Sequence, residues 1–506
     1  MTVIAVALFS IFPLTDTDIW WHLACAREWV QTWTPSRSPV VNVHEYFQMV
    51  VGFIYGIGGA PLLVAFKAVL WGAVFALFLL PQRKPCAECQ SKSAALVGAA
   101  LTALVLFIFR YHFEIRPVLF SLLFLGIYWN LLPEILNSSS HSSRTSRLEP
   151  RTSSLEPRAF FLLLFVLVIQ WLWCKCQGLY ILGPLLAVAV LVSVWLDAWR
   201  SKIKLPKKSR FFHVGVVLAL FAMPFLHSEG LNLFLYPFGL LDRLVGMSPS
   251  ASVFASEIAE NRSPFTLLMA GENVLECVVM ILLCVAGLVI AVWNVLKGRL
   301  GLMPICLFAT ASLALIAERN FVLYMPVFLC GARGLTRLVV RSLSPVEGPN
   351  HVSRLSSLVL IGFLLGLWTR SLLAYDSSMI AFQRVPVDAA TWMAAHPHEG
   401  HLFNDDRAGG YLEFVNPSEP VYIDGRFILK TADFFERYLR YADNPVLFMH
   451  DADSLRIGRV IFPLRYYARW GSLLSALETQ EDWNVVYRDS LYIVLNHDIW
   501  NLVSER

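Results

Sequence analysis

The amino-acid sequence predicts an α-helical polytopic membrane protein with about eleven transmembrane helices and a C-terminal soluble α/β domain. Of its 506 residues, 57% are hydrophobic and only 15% are charged. The mean hydropathy is +0.57, and the apolar residues occur in long blocks rather than in helical or alternating stripes. Residues 376–506 lack such blocks, and strand-like and helix-like segments alternate there. We therefore divide the chain into a membrane domain, residues 1–375, and an α/β domain, residues 376–506.

The apolar blocks are the candidate transmembrane spans. They cover residues 2–14, 61–80, 94–109, 117–136, 159–174, 179–198, 211–226, 274–295, 302–317, 321–340 and 355–375. The first block is short for a bilayer, which a helix of about 20 residues crosses. Because it lacks a basic flank and a small-residue cleavage site, we interpret it as a retained helix rather than a signal peptide.

Basic residues predict the orientation of the spans, because Lys and Arg are enriched in short cytoplasmic loops. They follow every second predicted span, in the connections that contain Arg83, Lys84 and Lys92, Arg144 to Arg158, Arg200 to Arg210, Lys297 and Arg299, and Arg341 and Arg354. We therefore expect a multi-pass protein of the cytoplasmic (inner) membrane, with its N-terminus inside and its C-terminal domain outside.

An acidic sequence opens the first predicted outer loop, residues 15–60. It runs Thr15-Asp16-Thr17-Asp18-Ile19-Trp20-Trp21-His22, directly after the first apolar block. Asp16 or Thr17 can cap a helix that begins near Asp18, and Asp18 and His22 then share one face of that helix. In one interpretation this helix is an interfacial anchor held by tryptophans, namely Trp20, Trp21, Trp29 and Trp33.

The same loop contains more polar groups than a helix cap requires. One acid satisfies a helix N-terminus, whereas this loop offers two carboxylates in the motif, His22, and the later pair His44 and Glu45. Carboxylates and imidazoles beside a bilayer are costly to desolvate. We therefore favour a reactive centre that contains Asp16, Asp18, His22, His44 and Glu45.

Several cationic residues lie on the predicted outer side, although Lys and Arg are expected mainly in the cytoplasmic loops. They are Arg110, Arg116, Arg262 and Arg319, together with Lys175. Such cations need an anionic partner, which is either a protein carboxylate or a ligand phosphate. Glu114, Glu260 and Glu318 are the available carboxylates.

The C-terminal residues predict a small α/β sheet. We expect helices over 386–396, 431–441 and 470–477, and strands over 401–404, 421–423, 459–462, 485–487 and 492–495. Two polar clusters stand at predicted strand ends, where α/β sheets place ligands. They contain Asp405, Asp406, Arg407 and Tyr411 in the first, and Asp424 and Arg426 in the second. The simpler interpretation, which we favour, is that Asp and Arg pair to fix turns.

Two further segments carry little chemistry. Cys86 and Cys89 form a C-x-x-C pair, but no second pair lies nearby in the sequence, so reduced bystanders are favoured over a zinc or redox site. Residues 137–158 are rich in Ser and Arg and are interpreted as a flexible cytoplasmic loop.

The motifs carry a resemblance to a known family. Five motifs resemble those of a bacterial family of polytopic glycosyltransferases. They are Asp-x-Asp-x-Trp-Trp-His-Leu at 16–23, His44-Glu45 before an aromatic residue, Arg116-Pro117, Asn-Asp-x-Arg-x-Gly-Gly-Tyr-Leu at 404–412 and Asp-Gly-Arg at 424–426. That family is similar to the GT-C superfamily, which includes protein mannosyltransferases and aminoarabinose transferases. The resemblance spans nearly the whole chain.

The resemblance implies an inverting transfer of a sugar from a polyprenyl-phosphate donor to a lipid, glycan or protein acceptor at the outer membrane face. Asp16 or Asp18 would act as base, and His22, His44 and Glu45 would orient the base or the acceptor. The phosphate-binding candidates would be Arg110, Arg116, Lys175, Arg262 and Arg319. One position departs from the family, in which a histidine commonly stands where this chain has Gln177.

Cofactor and alternative functions remain open at this stage. A divalent metal ion would suit the oxygen and nitrogen ligands of Asp16, Asp18, His22, His44 and Glu45. The alternative function is a non-catalytic transporter or an envelope-assembly scaffold whose outer domain binds glycan or protein. Against a transporter, the sequence shows no inverted repeat. Membrane lipid is an expected partner, and nucleic acid is not.

Overall fold

The computed structural model describes residues 1–79, 92–141, 157–245, 252–332, 351–465 and 468–498. In chain order, the helices are α1 (Thr2–Phe9), α2 (Asp18–Cys25), α3 (Glu45–Leu79), α4 (Lys92–Ile108), α5 (Pro117–His141), α6 (Pro157–Cys174), α7 (Leu182–Arg200), α8 (Lys207–Ala222), α9 (Gly230–Val245), α10 (Ser252–Glu257), α11 (Pro264–Met269), α12 (Val274–Leu296), α13 (Leu302–Ile316), α14 (Phe321–Gly331), α15 (His351–Ala374), α16 (Val387–Ala395), α17 (Asp406–Val415), α18 (Ala432–Asp443), α19 (Pro445–Ser454) and α20 (Gly471–Leu477). The strands are β1 (His401–Asn404), β2 (Ile457–Pro463), β3 (Trp483–Arg488) and β4 (Tyr492–His497).

Among these residues, six helical segments are long and apolar enough to cross a membrane. They are Glu45–Leu79, Pro117–Asn137, Gly178–Arg200, Lys207–Leu226, Val274–Leu296 and Arg354–Ala374. Three shorter apolar helices are Leu96–Ile108, Arg158–Cys174 and Leu302–Ile316. A helical membrane protein was the expected class, but the expected number of eleven spans is not confirmed. The first predicted span contains only the eight-residue helix α1.

Helix α3 corrects the predicted extent of the first outer loop. The helix begins at Glu45, within the predicted loop, and the predicted span begins only at residue 61. Between them the backbone leaves helical geometry at Gly58 and Gly59, and Gly59 has a φ of 61°, which glycine adopts without steric cost. Pro61 then opens the second part. The apolar block therefore marks only the part of α3 that follows a kink.

Two predicted features lie largely outside the described residues. Cys86 and Cys89 are among them, and so is most of the predicted loop at 137–158. Helix α9 was not predicted; it lies between the predicted spans at 211–226 and 274–295.

The C-terminal residues form a four-stranded mixed sheet in the order β1-β2-β4-β3. Strands β1 and β2 are parallel, and the other two pairings are antiparallel. The predicted strand at 421–423 is wrong: its backbone bonds to other segments. Tyr422 N–H donates to Oδ1 of Asn404 at 2.8 Å, and Val421 O accepts from the N–H of Trp33 at 3.1 Å. Helices α17 and α19 were not predicted.

The first loop completes the C-terminal fold. Trp33 stacks on His401 with ring centroids 4.3 Å apart, and the N–H of Arg37 donates to the carbonyl of Leu429 at 2.7 Å. The buried Nζ of Lys430 donates to the carbonyl of Thr34 at 3.0 Å. Residues of the first loop, which follow α2 in the sequence, thus pack together with C-terminal residues.

Candidate functional site

A cavity of about 1400 Å³ lies where the helical bundle meets the C-terminal residues. It brings together ten of the sequence-predicted site residues: Asp16, Asp18, His22, His44, Arg116, Arg262, Arg319, Asp406, Arg407 and Arg426. The acidic loop, the loops between spans and the C-terminal motifs therefore face one space. Clefts of this kind with convergent polar groups are the usual place of a ligand site.

Asp16 is held by an ion pair with Arg116. Nη2 of Arg116 lies 2.9 Å from Oδ1 of Asp16, and Nη1 lies 2.6 Å from Oε2 of Glu260. Pro117 starts α5 beside Arg116, as the Arg-Pro sequence predicted. The other oxygen of Asp16, Oδ2, is buried and has no hydrogen-bond partner among the described residues. Burial opposes the charge of Glu260, but Arg116 outweighs it and lowers the pKa of Glu260 to about 2.

Asp18 is the first residue of α2 and faces the cavity. Burial, with a contribution from the neighbouring Asp16 carboxylate, raises its pKa to about 8. A carboxyl group with such a pKa exchanges a proton near neutral pH, which is what general acid or base catalysis requires. Thr17 occupies the N-cap position without a side-chain bond, whereas Oδ1 of Asp16 accepts from the N–H of Asp18 at 3.4 Å.

His22 and His44 meet edge to face with ring centroids 5.1 Å apart, and both line the cavity together with Asp18. Burial lowers the pKa of both, that of His44 to about 4, so both rings are neutral at neutral pH. Nε2 of Gln48 lies 3.5 Å from Nδ1 of His22. Neutral imidazoles beside a carboxyl group can accept or donate one hydrogen bond each.

The arginines predicted to bind phosphate differ in their partners. Nη2 of Arg262 lies 2.8 Å from Oε2 of Glu272, and Nη1 of Arg319 donates to Oδ1 of Asn261 at 2.9 Å. Both side chains line the cavity. Arg319 therefore bonds to a neutral amide, and it forms no salt bridge to a carboxylate among the described residues.

Three of the predicted catalytic and phosphate-binding residues do not line the cavity. Lys175 Nζ lies 3.0 Å from Oε2 of Glu45 and also pairs with Glu229. Arg110 donates to the carbonyl of Phe107 at 2.7 Å and lies over the Phe107 ring. The structure therefore separates Glu45, Lys175 and Arg110 from the other candidates, and it gives each a protein partner.

The acidic motif packs closely against the C-terminal motifs at positions where the C-terminal motifs have glycine. A Cβ atom on Gly410 would lie 3.0 Å from the backbone nitrogen of Trp21, so a larger residue there would push α17 and α2 slightly apart. Tyr411 then meets Trp20 edge to face at 4.7 Å. Trp20 is fully buried, so α2 lies under the C-terminal residues rather than as an exposed interfacial anchor.

Most of the remaining C-terminal motif forms internal bonds. Asp405 caps α17 and accepts from Nε1 of Trp470 at 2.9 Å. Nε of Arg426 lies 2.8 Å from Oδ2 of Asp424, and Nη1 donates to the carbonyl of Val30 at 2.7 Å. Asp406 and Arg407 line the cavity, and Oδ1 of Asp406 accepts from the hydroxyl of Tyr438 at 2.9 Å.

A cluster that the sequence did not single out offers metal ligands. One ligand atom from each of His112, Glu276 and Glu318 lies within 4.8 Å of the others, and all three residues line the cavity. Nε2 of His112 lies 3.4 Å from Oε2 of Glu276 and 3.8 Å from Oε1 of Glu318. One nitrogen and two carboxylates fit a divalent ion. A glutamate in the first turn of an apolar helix, Glu276, was the available signal.

Comparison with solved structures identifies the fold. An oligosaccharyltransferase from Archaeoglobus fulgidus tethered to an acceptor peptide containing the NVT sequon matches with a TM-score of 0.53 and 16% identity, over 99% of this chain and 74% of that chain. AglB from the same organism, in complex with an inhibitory peptide and a dolichol-phosphate, matches with a TM-score of 0.51 and 14% identity over the same shares. The A. fulgidus enzyme with Zn and sulfate gives 0.51 and 15%, over 99% and 73%.

No family model matches the chain, and no curated protein matches it either. The chain thus has the fold of a class of polytopic membrane proteins that includes the archaeal oligosaccharyltransferases. The predicted divalent metal is compatible with the structure, but the cluster at His112, Glu276 and Glu318 differs from the predicted ligands.

Proposed function

We propose that this protein is a membrane glycosyltransferase that transfers a sugar from a polyprenyl-phosphate-linked donor to a hydroxyl-bearing lipid, glycan or protein. The observation that carries the proposal is the shared cavity, in which an acid with a pKa of about 8, Asp18, faces the same space as Arg262 and Arg319. A sugar transferase needs a base for the acceptor and cations for the departing phosphate.

Asp18 is the proposed base. Its carboxylate takes the proton of the acceptor hydroxyl as the acceptor oxygen bonds to the anomeric carbon of the sugar. The bond between that carbon and the donor phosphate breaks, and the polyprenyl phosphate leaves with the electron pair. His22 and His44 are neutral and line the same cavity as Asp18, so in this proposal they offer hydrogen bonds to the acceptor.

Arg319 and Arg262 are the proposed phosphate ligands. A guanidinium binds a phosphate through two parallel hydrogen bonds, and both side chains reach the cavity. Arg116 has a different proposed role: because it already pairs with Asp16 and Glu260, it orients the acidic loop. Oδ2 of Asp16, which has no partner in the described residues, is an acceptor for a donor or substrate hydroxyl.

His112, Glu276 and Glu318 would hold a divalent metal ion in this proposal. Such an ion would supply positive charge near the departing phosphate. Burial raises the pKa of Glu318, which indicates that its carboxylate gains from a nearby cation.

The predicted orientation would place this cavity on the outer face of the cytoplasmic membrane. An engineered cysteine at Ser418, an exposed residue, would then react with an impermeant maleimide added to intact cells. Protection of that cysteine until the cells are broken would contradict the orientation.

Carrier release tests the proposed reaction. The protein in nanodiscs with Mn²⁺ is incubated with undecaprenyl-phosphate-linked hexoses, and free undecaprenyl phosphate is measured by mass spectrometry. We expect release that Asp18→Asn abolishes and that Asp453→Asn, at an exposed carboxylate remote from the cavity lining, leaves unchanged. Equal release in wild type and Asp18→Asn would remove Asp18 as the base. No release from any donor in the panel would favour a binding scaffold.

A further inference from the structure

Helix α9 is largely apolar on both faces, and only one of these faces is packed against protein. It carries no charged residue before Asp242. On the packed face, Leu233 and Pro237 are buried, and Tyr236 and Leu240 line the cavity. On the opposite face, four side chains at helical spacing are exposed by 59, 50, 50 and 44%: Leu231, Leu235, Phe238 and Leu241. An apolar helix face this exposed needs a cover.

The packed face of α9 makes close contacts with residues 178–180. A Cβ atom on Gly178 would lie 2.7 Å from Cε1 of Tyr236, so the backbone there touches the ring directly. The hydroxyl of Tyr180 also donates to the carbonyl of Leu233. These contacts fix the rotation of α9, and they therefore fix which residues point away from the protein.

The exposed face continues the surface of a candidate transmembrane segment, Lys207–Leu226. Along that segment Phe211, Leu218, Phe225 and Leu226 are exposed by 77, 61, 50 and 66%. The Phe225 ring stacks on Phe234 of α9 with centroids 5.0 Å apart. Since lipid must cover the exposed side of a transmembrane helix, the same lipid layer reaches α9.

Polar groups at the start of α9 indicate where this helix lies relative to the bilayer. The chain turns between His227 and Gly230, and Gly230 has a φ of 41°. Glu229 in this turn pairs with Lys175, the residue that also pairs with Glu45. Such charged groups are stable where the apolar layer of a bilayer ends. The helix therefore starts at the boundary between the apolar layer and the polar site.

We propose that α9 is an interfacial helix whose exposed face binds the acyl chains of the phospholipid bilayer, while its packed face closes the cavity. A helix is about 10 Å across with its side chains, so a single helix separates the site from the bilayer. The exposed apolar side chains of α9 match the face that an interfacial helix buries at the headgroup and acyl boundary. The partner is bulk phospholipid, and no substrate is required for its binding.

Photocrosslinking tests this assignment in the full-length protein. p-Benzoylphenylalanine is placed at Phe238 or Leu235 in nanodiscs of phosphatidylcholine and phosphatidylglycerol doped with undecaprenyl phosphate. Leu218, on the candidate transmembrane segment, is the positive control, and Val446, 72% exposed among the C-terminal residues, is the negative control. Lipid adducts are identified by mass spectrometry after irradiation. If a substituted protein fails to accumulate, Leu231 on the same face replaces that position.

We expect phospholipid adducts at Phe238 and Leu235 at a yield within about threefold of Leu218, and none at Val446. Absence of adducts at α9 while Leu218 reacts would overturn the proposal. Adducts with undecaprenyl phosphate alone would also overturn it, because the face would then be a carrier groove. A protein that shows these adducts but releases no carrier would refute the proposed transferase function and leave this inference standing.

Discussion

The backbone of Gly425 lies directly against the carboxylate of Asp18: a Cβ atom on this glycine would come within 1.8 Å of Oδ1. The two residues are separated by more than 400 positions in the sequence. The glycine of the Asp-Gly-Arg motif therefore permits the acidic loop and the C-terminal residues to touch. This contact also contributes to the burial that raises the pKa of Asp18.

Gly425→Ala should displace Asp18 and destabilise the protein by about 1–3 kcal/mol, because the added methyl group overlaps the carboxylate. Thermal unfolding in detergent measures the effect. Gly471→Ala is the matched control, since a Cβ atom there meets nothing within 4 Å. In an Asp18→Ala background the cost of Gly425→Ala should fall. An unchanged cost in that background would show that the overlap with Asp18 is not the cause.

The pH dependence of stability should report the ionisation of Asp18. Its pKa is about 8 in the folded protein and ordinary in the unfolded chain. Between about pH 4 and pH 8 the folded state therefore binds a proton that the unfolded state has lost, so stability falls as pH rises. Carrier release should rise over the upper part of the same range as the carboxylate forms.

Asp18→Asn should flatten this dependence, because the amide does not titrate. The measurement is the melting temperature of both proteins from pH 5 to pH 9 in one detergent. Parallel curves for wild type and variant would mean that Asp18 titrates with an ordinary pKa.

Arg116 should couple to Asp16 in a double-mutant cycle. Arg116→Ala leaves the buried carboxylate of Asp16 without its ion pair, and we expect a loss of about 1–3 kcal/mol, since the Arg116 side chain is 30% exposed. Asp16→Asn should remove the part of that cost that comes from Asp16, while the lost pair with Glu260 accounts for the remainder. The free energy of unfolding of the four proteins gives the coupling. Additive effects of the two substitutions would contradict the ion pair. If wild type binds undecaprenyl phosphate tightly and Arg116→Ala abolishes that binding, Arg116 is a phosphate ligand after all.

Asp424 should be needed for stability, in agreement with the structural interpretation of its motif. Its removal leaves Arg426, which is 6% exposed, without one of its two carboxylate partners. We expect a cost of about 3–5 kcal/mol. Because Arg426 also binds the carbonyl of Val30, residues 376–506 alone should melt below the same residues in the full chain. Asp433→Ala, at an exposed carboxylate, is the control, and an equal loss there would refute the role of the buried pair.

The sequence predicted the helical membrane class, most C-terminal strands and the acidic loop because these depend on local patterns. Apolar blocks and strand-like runs are visible without knowledge of the fold. The partners of Glu45 and Lys175, and the role of Gly425, depend on contacts between distant segments, which no local pattern encodes. The strand predicted at 421–423 failed for the same reason: its backbone hydrogen-bonds to the side chain of Asn404 and to Trp33 of the first loop.

The ligand cluster at His112, Glu276 and Glu318 was missed because it too depends on contacts between distant segments. Metal binding tests this cluster directly. His112→Ala removes its only nitrogen ligand, so we expect Mn²⁺ affinity of the EDTA-treated protein to fall at least about tenfold. Isothermal titration calorimetry in detergent measures the change, and Glu276→Gln should weaken binding in the same direction. His450→Ala is the matched control, because its imidazole is exposed and lies beside Asp451 outside the cavity lining. If Mn²⁺ binds wild type and His112→Ala equally, the ion binds elsewhere, and Asp16 with its unpartnered oxygen becomes the next ligand to substitute.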